Sequence, residues 1–302
     1  MSKQTLMVHV LAIGALALSS SVGAQAAASR TFVSTTGSDA NAAVNCSATA
    51  TCRTFGAALS VTNPGGELVV VNSGGYGPAT ITQPVIITAT GIDASISVTT
   101  SGANAITINT SGNVTLTGLN LHGEATGQNG VAVQQVGFLR LYDMLVENFM
   151  GIGVDLEVPG SMAVYGLASN DNGGFGLRVA NSMAIAYVER SSFDHNGTAG
   201  AAVASGQLTV VDSASSNNGN GFRVFGSTAT MTLFNDRAQF NLAAGLFVFQ
   251  GAMYFSNCFI SNNTMSYNLS SGGTLTGTNP GTNFIAPGQT SMGALSTAIP
   301  LL

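Results

Sequence analysis

The chain has 302 residues, of which 45% are hydrophobic and 7% are charged, whereas an average soluble domain has about 25% charged residues. Disorder needs low hydrophobicity and high charge, so this composition, with its 38 glycines, indicates a folded and strand-rich protein. A net charge of −5 provides no cationic surface for phosphate groups, which excludes nucleic acid as a principal partner.

Residues 1–28 have the order of a secretory signal peptide. Lys3 precedes an apolar run from Leu6 to Leu18, and small residues follow as far as Ala28. The apolar run is too short to span a bilayer, and no later run is long enough, so we expect no transmembrane anchor. The sequence therefore predicts export to the periplasm, the cell surface or the medium.

The three cysteines are predicted to form one disulfide. Cys46 and Cys52 lie close together in a loop-like stretch, and an exported protein can hold a disulfide, so we expect these two to be bonded. Cys258 is then a free thiol that packs as a small apolar residue.

A repeat of about 23 residues occupies the centre of the chain. Each unit opens with Gly, an apolar residue, any residue and another apolar residue, and a second alternating apolar pair follows. The openings are Gly130, Gly151, Gly174, Gly200, Gly221 and Gly245. Alternation with period two predicts strands, and so short a unit must stack on its neighbours to bury its apolar face. At about 4.8 Å per coil, eight or nine coils form a rod of about 40 Å.

Two columns of turn residues repeat with the same period. One follows the second strand of each unit: Asp143, Gly166, Glu189, Asp212, Asn235 and Asn257. The other closes each unit: Asn148, Asn170, Asn196, Asn217, Asn241 and Asn262. Gly and Asn accept the positive φ of tight turns, and stacked Asn side chains can bond to one another as a ladder. A β-sandwich or a propeller is the competing interpretation, but a propeller blade needs about twice this length.

The repeat resembles the right-handed parallel β-helix of the pectate-lyase-like superfamily. The N-terminal segments also resemble the opening of secreted proteins of this type; they are Phe32–Asn41, Cys52–Phe55, Pro64–Val71 and Gly75-Tyr76. The resemblance implies an all-β, single-stranded right-handed parallel β-helix over residues 65–263. It also implies an N-terminal cap over 29–64, with a short helix near Arg53–Val61, and a capping tail over 264–302. Since this fold carries lyases, hydrolases, esterases and adhesins alike, it does not specify an activity.

Acid and base converge at one place on the predicted outward surface. Asp155 and Arg178 fall on adjacent coils, and Glu157 follows two residues after Asp155. The resemblance to polysaccharide lyases implies that Asp155 and Glu157 hold calcium while Arg178 takes the proton next to a uronate carboxyl. A solvent-facing salt bridge, worth less than about 1 kcal/mol, is the preferred interpretation. No third acid stacks with these residues, so we expect no cofactor, and calcium only if the protein is a lyase.

Two other groups of titratable residues receive structural interpretations. Glu189 and Asp212 stack in the turn column and could form an acid pair, but the remaining members of the column are mostly turn formers, so selection for turns is preferred. His195 lies between Asp194 and Asn196 and is interpreted as part of a polar loop.

An apolar patch is predicted on the last two coils, formed by Arg223, Phe225, Phe247 and Phe249. Outward rings can stack on sugars or can be covered by another surface, and docking of the tail or an oligomer contact is the preferred interpretation. The predicted function is an exported, non-catalytic β-helix scaffold or glycan-contacting surface protein, with a polysaccharide as partner. The alternative is a polysaccharide lyase or another carbohydrate-active enzyme. The oligomeric state is not predicted.

Overall fold

The computed structural model describes residues 27–277, 282–286 and 290–297. Residues 1–26 of the predicted signal peptide lie outside the described residues. Almost all regular structure in the described part is strand. The strands are, in chain order, β1 (Ala28–Val33), β2 (Thr62–Val70), β3 (Gly74–Gly75), β4 (Ala79–Ile81), β5 (Val85–Thr88), β6 (Ala94–Ser97), β7 (Ile106–Asn109), β8 (Asn113–Thr117), β9 (Leu119–His122), β10 (Val131–Gln135), β11 (Phe138–Tyr142), β12 (Leu145–Glu147), β13 (Val154–Leu156), β14 (Gly160–Tyr165), β15 (Ala168–Asn170), β16 (Phe175–Glu189), β17 (Ser192–Asp194), β18 (Ala199–Val211), β19 (Ala214–Ser216), β20 (Asn220–Val224), β21 (Ala229–Phe234), β22 (Arg237–Gln239), β23 (Ala244–Val248), β24 (Ala252–Ser256), β25 (Phe259–Ser261), β26 (Met265–Leu269), β27 (Thr274–Gly277), β28 (Phe284–Ile285), β29 (Thr290–Met292) and β30 (Ser296–Thr297).

Each coil contributes one strand to each of three faces, and every strand pairs in parallel with the same strand of the next coil. Face 1 comprises β4, β7, β10, β13, the first half of β16, the first half of β18, β20, β23, β26 and β29. Face 2 comprises β1, β2, β5, β8, β11, β14, the second halves of β16 and β18, β21, β24, β27 and β30. Face 3 is a separate sheet, which has 10 strands in the described residues. The architecture is the predicted parallel β-helix, with slightly more coils than predicted.

The interior is a stack of apolar columns. Face 2 provides one column in which every member is at most 2% exposed: Val114, Leu139, Met162, Ala186, Leu208, Met231, Met253 and Leu275. Because alternate residues of a strand point to opposite sides, the intervening residues are directed outward. The alternation in the sequence therefore determines which side chains are available to a ligand.

A ladder of buried asparagines runs along the turn between faces 3 and 1. The side-chain oxygen of each member accepts the backbone N–H of the residue one coil earlier, and its side-chain amide bonds to the next member over most of the ladder. The members are Asn172, Asn196, Asn218, Asn241 and Asn263. Each such bond contributes about 1 kcal/mol, and an unsatisfied buried amide would cost more.

The six asparagines predicted to close the repeat units belong to more than one column of the structure. Asn196 and Asn241 belong to the buried ladder, but Asn148, Asn217 and Asn262 occupy the preceding position, where φ is positive. Asp171, His195 and Phe240 have positive φ there as well. Asn170 lies one residue earlier still, at the end of β15. The prediction of a ladder is confirmed, whereas three of its six predicted members are displaced by one residue and Asn170 by two.

The predicted turn column after face 2 contains one error. Asp143, Asp212, Asn235 and Asn257 occupy it with positive φ, but the corresponding residue of the intervening coil is Arg190, with φ 49°. Glu189 pairs with Val211 inside the strand. The line of turn residues is therefore real, with Arg190 in place of Glu189.

The N-terminal cap holds the predicted disulfide and helix. Cys46 and Cys52 are bonded, and a 3-10 helix (Asp39–Val44) precedes α1 (Phe55–Leu59). The Thr54 side chain accepts the N–H of Ala57 and caps α1. Cys258 is free and buried, as predicted.

The solenoid continues beyond the predicted boundary at Asn263. β26 pairs with β23, β27 pairs with β24, and β28 extends face 3. The described residues after Thr264 therefore form further coils. No helix in the described ranges is long and apolar enough to cross a membrane.

Candidate functional site

The strand register places most of the predicted site residues in a single outward column of face 1. Asp155 lies beside Arg178, Arg178 beside Ala202, Ala202 beside Arg223, and Arg223 beside Phe247. At about 4.8 Å per coil, Arg178 and Arg223 lie about 10 Å apart along the axis.

This register corrects the predicted alignment of two repeat units. With the predicted openings at Gly151 and Gly174, the fourth residue after each opening glycine would put Asp155 and Arg178 in line with Phe225 and Phe249. The structure aligns Gly153 and Gly176 with the other openings. A Cβ at Gly153 would lie 2.5 Å from the Gly176 carbonyl oxygen, and a Cβ at Gly176 would lie 2.6 Å from the Gly200 oxygen. Only glycine fits at these close approaches between coils.

Asp155, Glu157 and Arg178 form the predicted cluster on adjacent coils. Arg178 donates from Nε to Asp155 Oδ1 at 2.9 Å and from Nη2 to Asp155 Oδ2 at 3.0 Å, and it also contacts Glu157. Asp155 is only 5% exposed, so the pair is not the solvent-facing salt bridge that the sequence predicted. The bidentate geometry is a strong form of this interaction.

The charges of Asp155, Glu157 and Arg178 stabilise one another within the cluster. Burial alone lowers the pKa of Arg178, but the hydrogen bonds and charges of Asp155 and Glu157 outweigh burial and raise it above the ordinary arginine value. Burial raises the pKa of Asp155, and the hydrogen bonds from Arg178 oppose that rise. The guanidinium is therefore held protonated against its two carboxylates.

Calcium does not fit this donor set. A calcium ion takes six to eight oxygen ligands at about 2.3–2.6 Å. Both oxygens of Asp155 accept hydrogen bonds from Arg178, and Glu157 contacts the same guanidinium. Across the described ranges, no group of three or more His, Cys, Asp or Glu side chains is placed to hold a metal ion.

Arg223 lies in a different environment two coils further along the column. Its guanidinium carbon lies 5.1 Å from the ring centroid of Phe225 and 5.1 Å from that of Phe247. Its Nε is buried and has no hydrogen-bond partner, and no ion pair of Arg223 occurs within the described residues. Burial lowers the pKa of Arg223. This guanidinium is positioned by two aromatic rings, and no carboxylate of the described ranges neutralises it.

Phe175 connects the two arginines, which the sequence alone did not predict. Its ring stacks on Phe225 with centroids 5.7 Å apart, and the Arg178 guanidinium carbon lies 5.9 Å from its centroid. Phe175 directly precedes Gly176, so the corrected repeat opening would have identified it. A continuous row of contacts on the outer surface of face 1 therefore runs through Arg178, Phe175, Phe225, Arg223 and Phe247.

The rest of the aromatic patch remains accessible. Phe249 is 41% exposed. The described tail residues extend the solenoid instead of docking on this patch, and residues 298–302 of the predicted tail lie outside the described residues.

The other candidate residues have structural roles. Glu189 accepts a hydrogen bond from the Tyr187 hydroxyl at 2.9 Å and pairs with Arg190, while Asp212 accepts a hydrogen bond from the Asn235 side-chain amide. Glu189 and Asp212 therefore do not form an acid pair. His195 Nδ1 lies 2.8 Å from Asp194 Oδ2 in an exposed loop.

Comparisons with known proteins identify the fold. No protein-family model matches the sequence, and a comparison with curated proteins finds no match. Among solved structures, pectate lyase Pel9A is similar with a TM-score of 0.63 and 15% identity, covering 89% of this chain and 77% of that chain. A rhamnogalacturonan lyase has a TM-score of 0.67 and 12% identity, covering 89% of this chain and 86% of that chain. The A-module of Azotobacter vinelandii mannuronan C-5 epimerase AlgE6 has a TM-score of 0.57 and 14% identity, covering 78% and 92%. This chain has the pectate-lyase-like right-handed β-helix fold, as its repeat predicted.

Proposed function

We propose that this chain is an exported, non-catalytic protein that binds an anionic polysaccharide along face 1. The binding surface is the row formed by Phe175, Phe225, Arg223, Phe247 and Phe249. The observation that carries the proposal is the guanidinium of Arg223, held between two rings without a carboxylate partner in the described part of the chain.

The chemistry of this row suits a sugar polymer that carries carboxylates. A guanidinium fork binds a carboxylate through two parallel hydrogen bonds. The neighbouring rings provide flat apolar surfaces of the kind that pack against the C–H faces of sugar rings. The solved structures of the same fold include enzymes named for pectate, rhamnogalacturonan and mannuronan, all of which are uronate-containing polysaccharides.

The environment of Arg178 supports binding without catalysis. A lyase needs a base that can accept a proton from carbon, and an arginine serves only when its neutral form is accessible. The raised pKa of Arg178 works against this role, and the oxygens that would hold a cation beside the substrate carboxylate are engaged by Arg178.

The test is a binding assay on the secreted form of the chain with polygalacturonate, by affinity electrophoresis and by calorimetry. Arg223→Gln should weaken binding about tenfold, because it removes a charge-assisted contact. The matched control is Arg140→Gln, since Arg140 also stacks on a phenylalanine, Phe138, at 4.1 Å, but on face 2. Equal losses for the two variants would contradict the assignment of the binding surface to face 1.

The lyase alternative is tested with the same protein. Polygalacturonate and calcium are added, and the absorbance of unsaturated product is followed. We expect no product. Turnover that Arg178→Ala abolishes would overturn the non-catalytic proposal and support the predicted lyase site instead.

A further inference from the structure

A second groove lies on another side of the solenoid, along the turn that joins faces 2 and 3. It consists of two cavities, of about 480 Å³ and 360 Å³. The two cavities share Asn235 and Arg237 in their walls, so they lie end to end along the axis. From the coil of Gly166 to the coil of Asn257 the groove crosses four coil steps, or about 19 Å.

Small side chains create the first cavity. Gly166 has no side chain in the turn column, and Ala168 and Ala214 occupy outward positions at the start of face 3. Arg190 lies one coil after Gly166, Arg237 lies at the C-terminal end of the cavity, and Asp212 lies between the two arginines. The groove is therefore concave because small residues alternate with long polar ones.

The groove is lined by hydrogen-bonding groups in an ordered row. The Asn235 side-chain amide donates to Asp212 Oδ1, and the Asn257 amide donates to Asn235 Oδ1 at 2.8 Å. Arg190 is paired with Glu189, whereas Arg237 forms no ion pair within the described residues. One free cationic group thus lies at the junction of the two cavities, beside a fixed row of amides.

An aromatic pair closes the C-terminal end of the groove. Phe259 lines the second cavity and stacks on Phe284 with centroids 4.6 Å apart. Their exposed fractions are 38% and 45%, which is high for phenylalanine. Exposed rings beside a polar groove provide an apolar surface for a ligand that is otherwise rich in hydroxyl groups.

We propose that this groove is a second polysaccharide-binding site, which takes an extended uronate-bearing oligosaccharide with a carboxylate on Arg237 and a sugar ring against Phe259. The chemical class of the ligand rests on the proposed function of face 1, whereas the site itself does not. Face 1 and this groove lie on different sides of the solenoid. One protein can therefore hold two polysaccharide chains and cross-link them, with an avidity that neither site has alone.

The test separates the two sites with single variants. Calorimetry with tetragalacturonate counts the sites on each protein, and light scattering with long polygalacturonate detects cross-linking. Wild-type protein should bind two tetrasaccharides and cross-link the polymer. Arg237→Gln and Arg223→Gln should each weaken one of the two sites about tenfold, leave the other unchanged and reduce cross-linking.

A second variant changes the groove without removing a charge. Ala214 is a half-exposed outward residue, so Ala214→Phe fills the first cavity while the inward packing is retained. Ala214→Phe should weaken binding at the groove at least fivefold and leave binding at face 1 unchanged. Thermal unfolding verifies that each variant is folded.

The outcomes of the two proposals are distinguishable. If Arg237→Gln and Ala214→Phe bind two tetrasaccharides and cross-link like wild type, the second site is overturned and face 1 stands. If Arg223→Gln has no effect while Arg237→Gln abolishes binding, the groove is the binding site and the proposed function of face 1 is wrong. Absence of tetragalacturonate binding to the wild type overturns the second site as stated.

Discussion

The N-terminal and C-terminal halves of face 1 use the same backbone position in different ways. In the N-terminal half, Arg178 is engaged by Asp155 and Glu157. Two coils later, Arg223 occupies the same column between Phe225 and Phe247 and has no acidic partner in the described residues. The comparison shows that a solenoid column sets only the direction of a side chain, while the residues on adjacent coils decide its chemistry.

Removing each arginine in turn should give the largest difference between the halves. Arg178→Ala leaves Asp155 buried without its cation and should lower the free energy of unfolding by about 3 kcal/mol. Arg223→Ala loses packing between two rings and should cost about 1 kcal/mol. Urea denaturation measures both.

A double variant identifies the cause of the first effect. If an unpaired Asp155 is responsible, Asp155→Ala combined with Arg178→Ala should be more stable than Arg178→Ala alone. Equal losses for Arg178→Ala and Arg223→Ala would show that the ion pair contributes no more than the aromatic stacking.

A buried carboxyl in the C-terminal half extends the comparison to a group that forms no ion pair within the described residues. Asp236 is 1% exposed, and its two oxygens accept the N–H groups of Ser213 and Phe234. Burial raises the pKa of Asp236 to about 7, above the value of about 3.9 in an unfolded chain. Between about pH 4 and pH 7 the folded state thus retains a proton that the unfolded state releases.

Stability should therefore fall as the pH rises from about 4 to 7, and the penalty is complete above pH 7. The effect is about 2–4 kcal/mol, since each pKa unit corresponds to about 1.4 kcal/mol. Asp236→Ser should remove this slope, because a serine hydroxyl does not titrate in this pH range. Serine suits the position, since the hydroxyls of Ser191 and Ser213 accept a backbone N–H of the preceding coil at the same position of their own coils. Urea denaturation from pH 4 to 8 measures the slope, and the control is Asp171→Asn, which removes an exposed carboxyl from another coil. A slope that Asp236→Ser leaves intact would show that another group causes it.

The arrangement of the N-terminal half can be copied into the C-terminal half with one substitution. Ala202→Asp places an acid one coil before Arg223, as Asp155 precedes Arg178. Pairing should remove the free guanidinium and lower the affinity for polygalacturonate about tenfold, which is about 1.4 kcal/mol. Calorimetry measures the affinity, and Ala202→Ser controls for the change in size. Unchanged binding by Ala202→Asp would show that the charge of Arg223 does not take part.

The smallest expected effect concerns the cysteines, which are disulfide-bonded in the N-terminal cap and free at Cys258 in the C-terminal half. Burial raises the pKa of Cys258 to about 12, so its thiolate is scarce at neutral pH. Thiol titration of the native protein should find little reaction, and the denatured, unreduced protein should give one thiol per chain. Three thiols, or none, would contradict the pairing of Cys46 with Cys52.

The fold was predictable because the signals that specify it are local. Alternating apolar residues specify strands, and Asn235 and Asn257 accept positive φ in the turns that separate them. The pairing of Cys46 with Cys52 followed from their separation. The buried ladder was predictable in kind, and the Asn-Gly dipeptides at Asn172, Asn196 and Asn218 would have identified most of its members.

The candidate site was predictable only in part. The adjacency of Asp155 and Arg178 followed from the repeat period, but the column that they share with Arg223 did not. Gly151 and Gly153 are two residues apart, so an alignment on either preserves the alternation of apolar residues. The strand pairing of the folded coils places Gly153 and not Gly151 beside Gly176, and that contact exists only between folded coils.

The sequence by itself determined that this chain forms strands, turns at fixed intervals and a stack of coils, because period and φ preference are properties of short segments. The tertiary structure alone decided which outward residues became neighbours. A shift of two residues keeps every apolar side chain inside and changes every contact between coils, so the register depends on steric fit between coils. That fit places Arg223 between two rings and Arg178 against two acids.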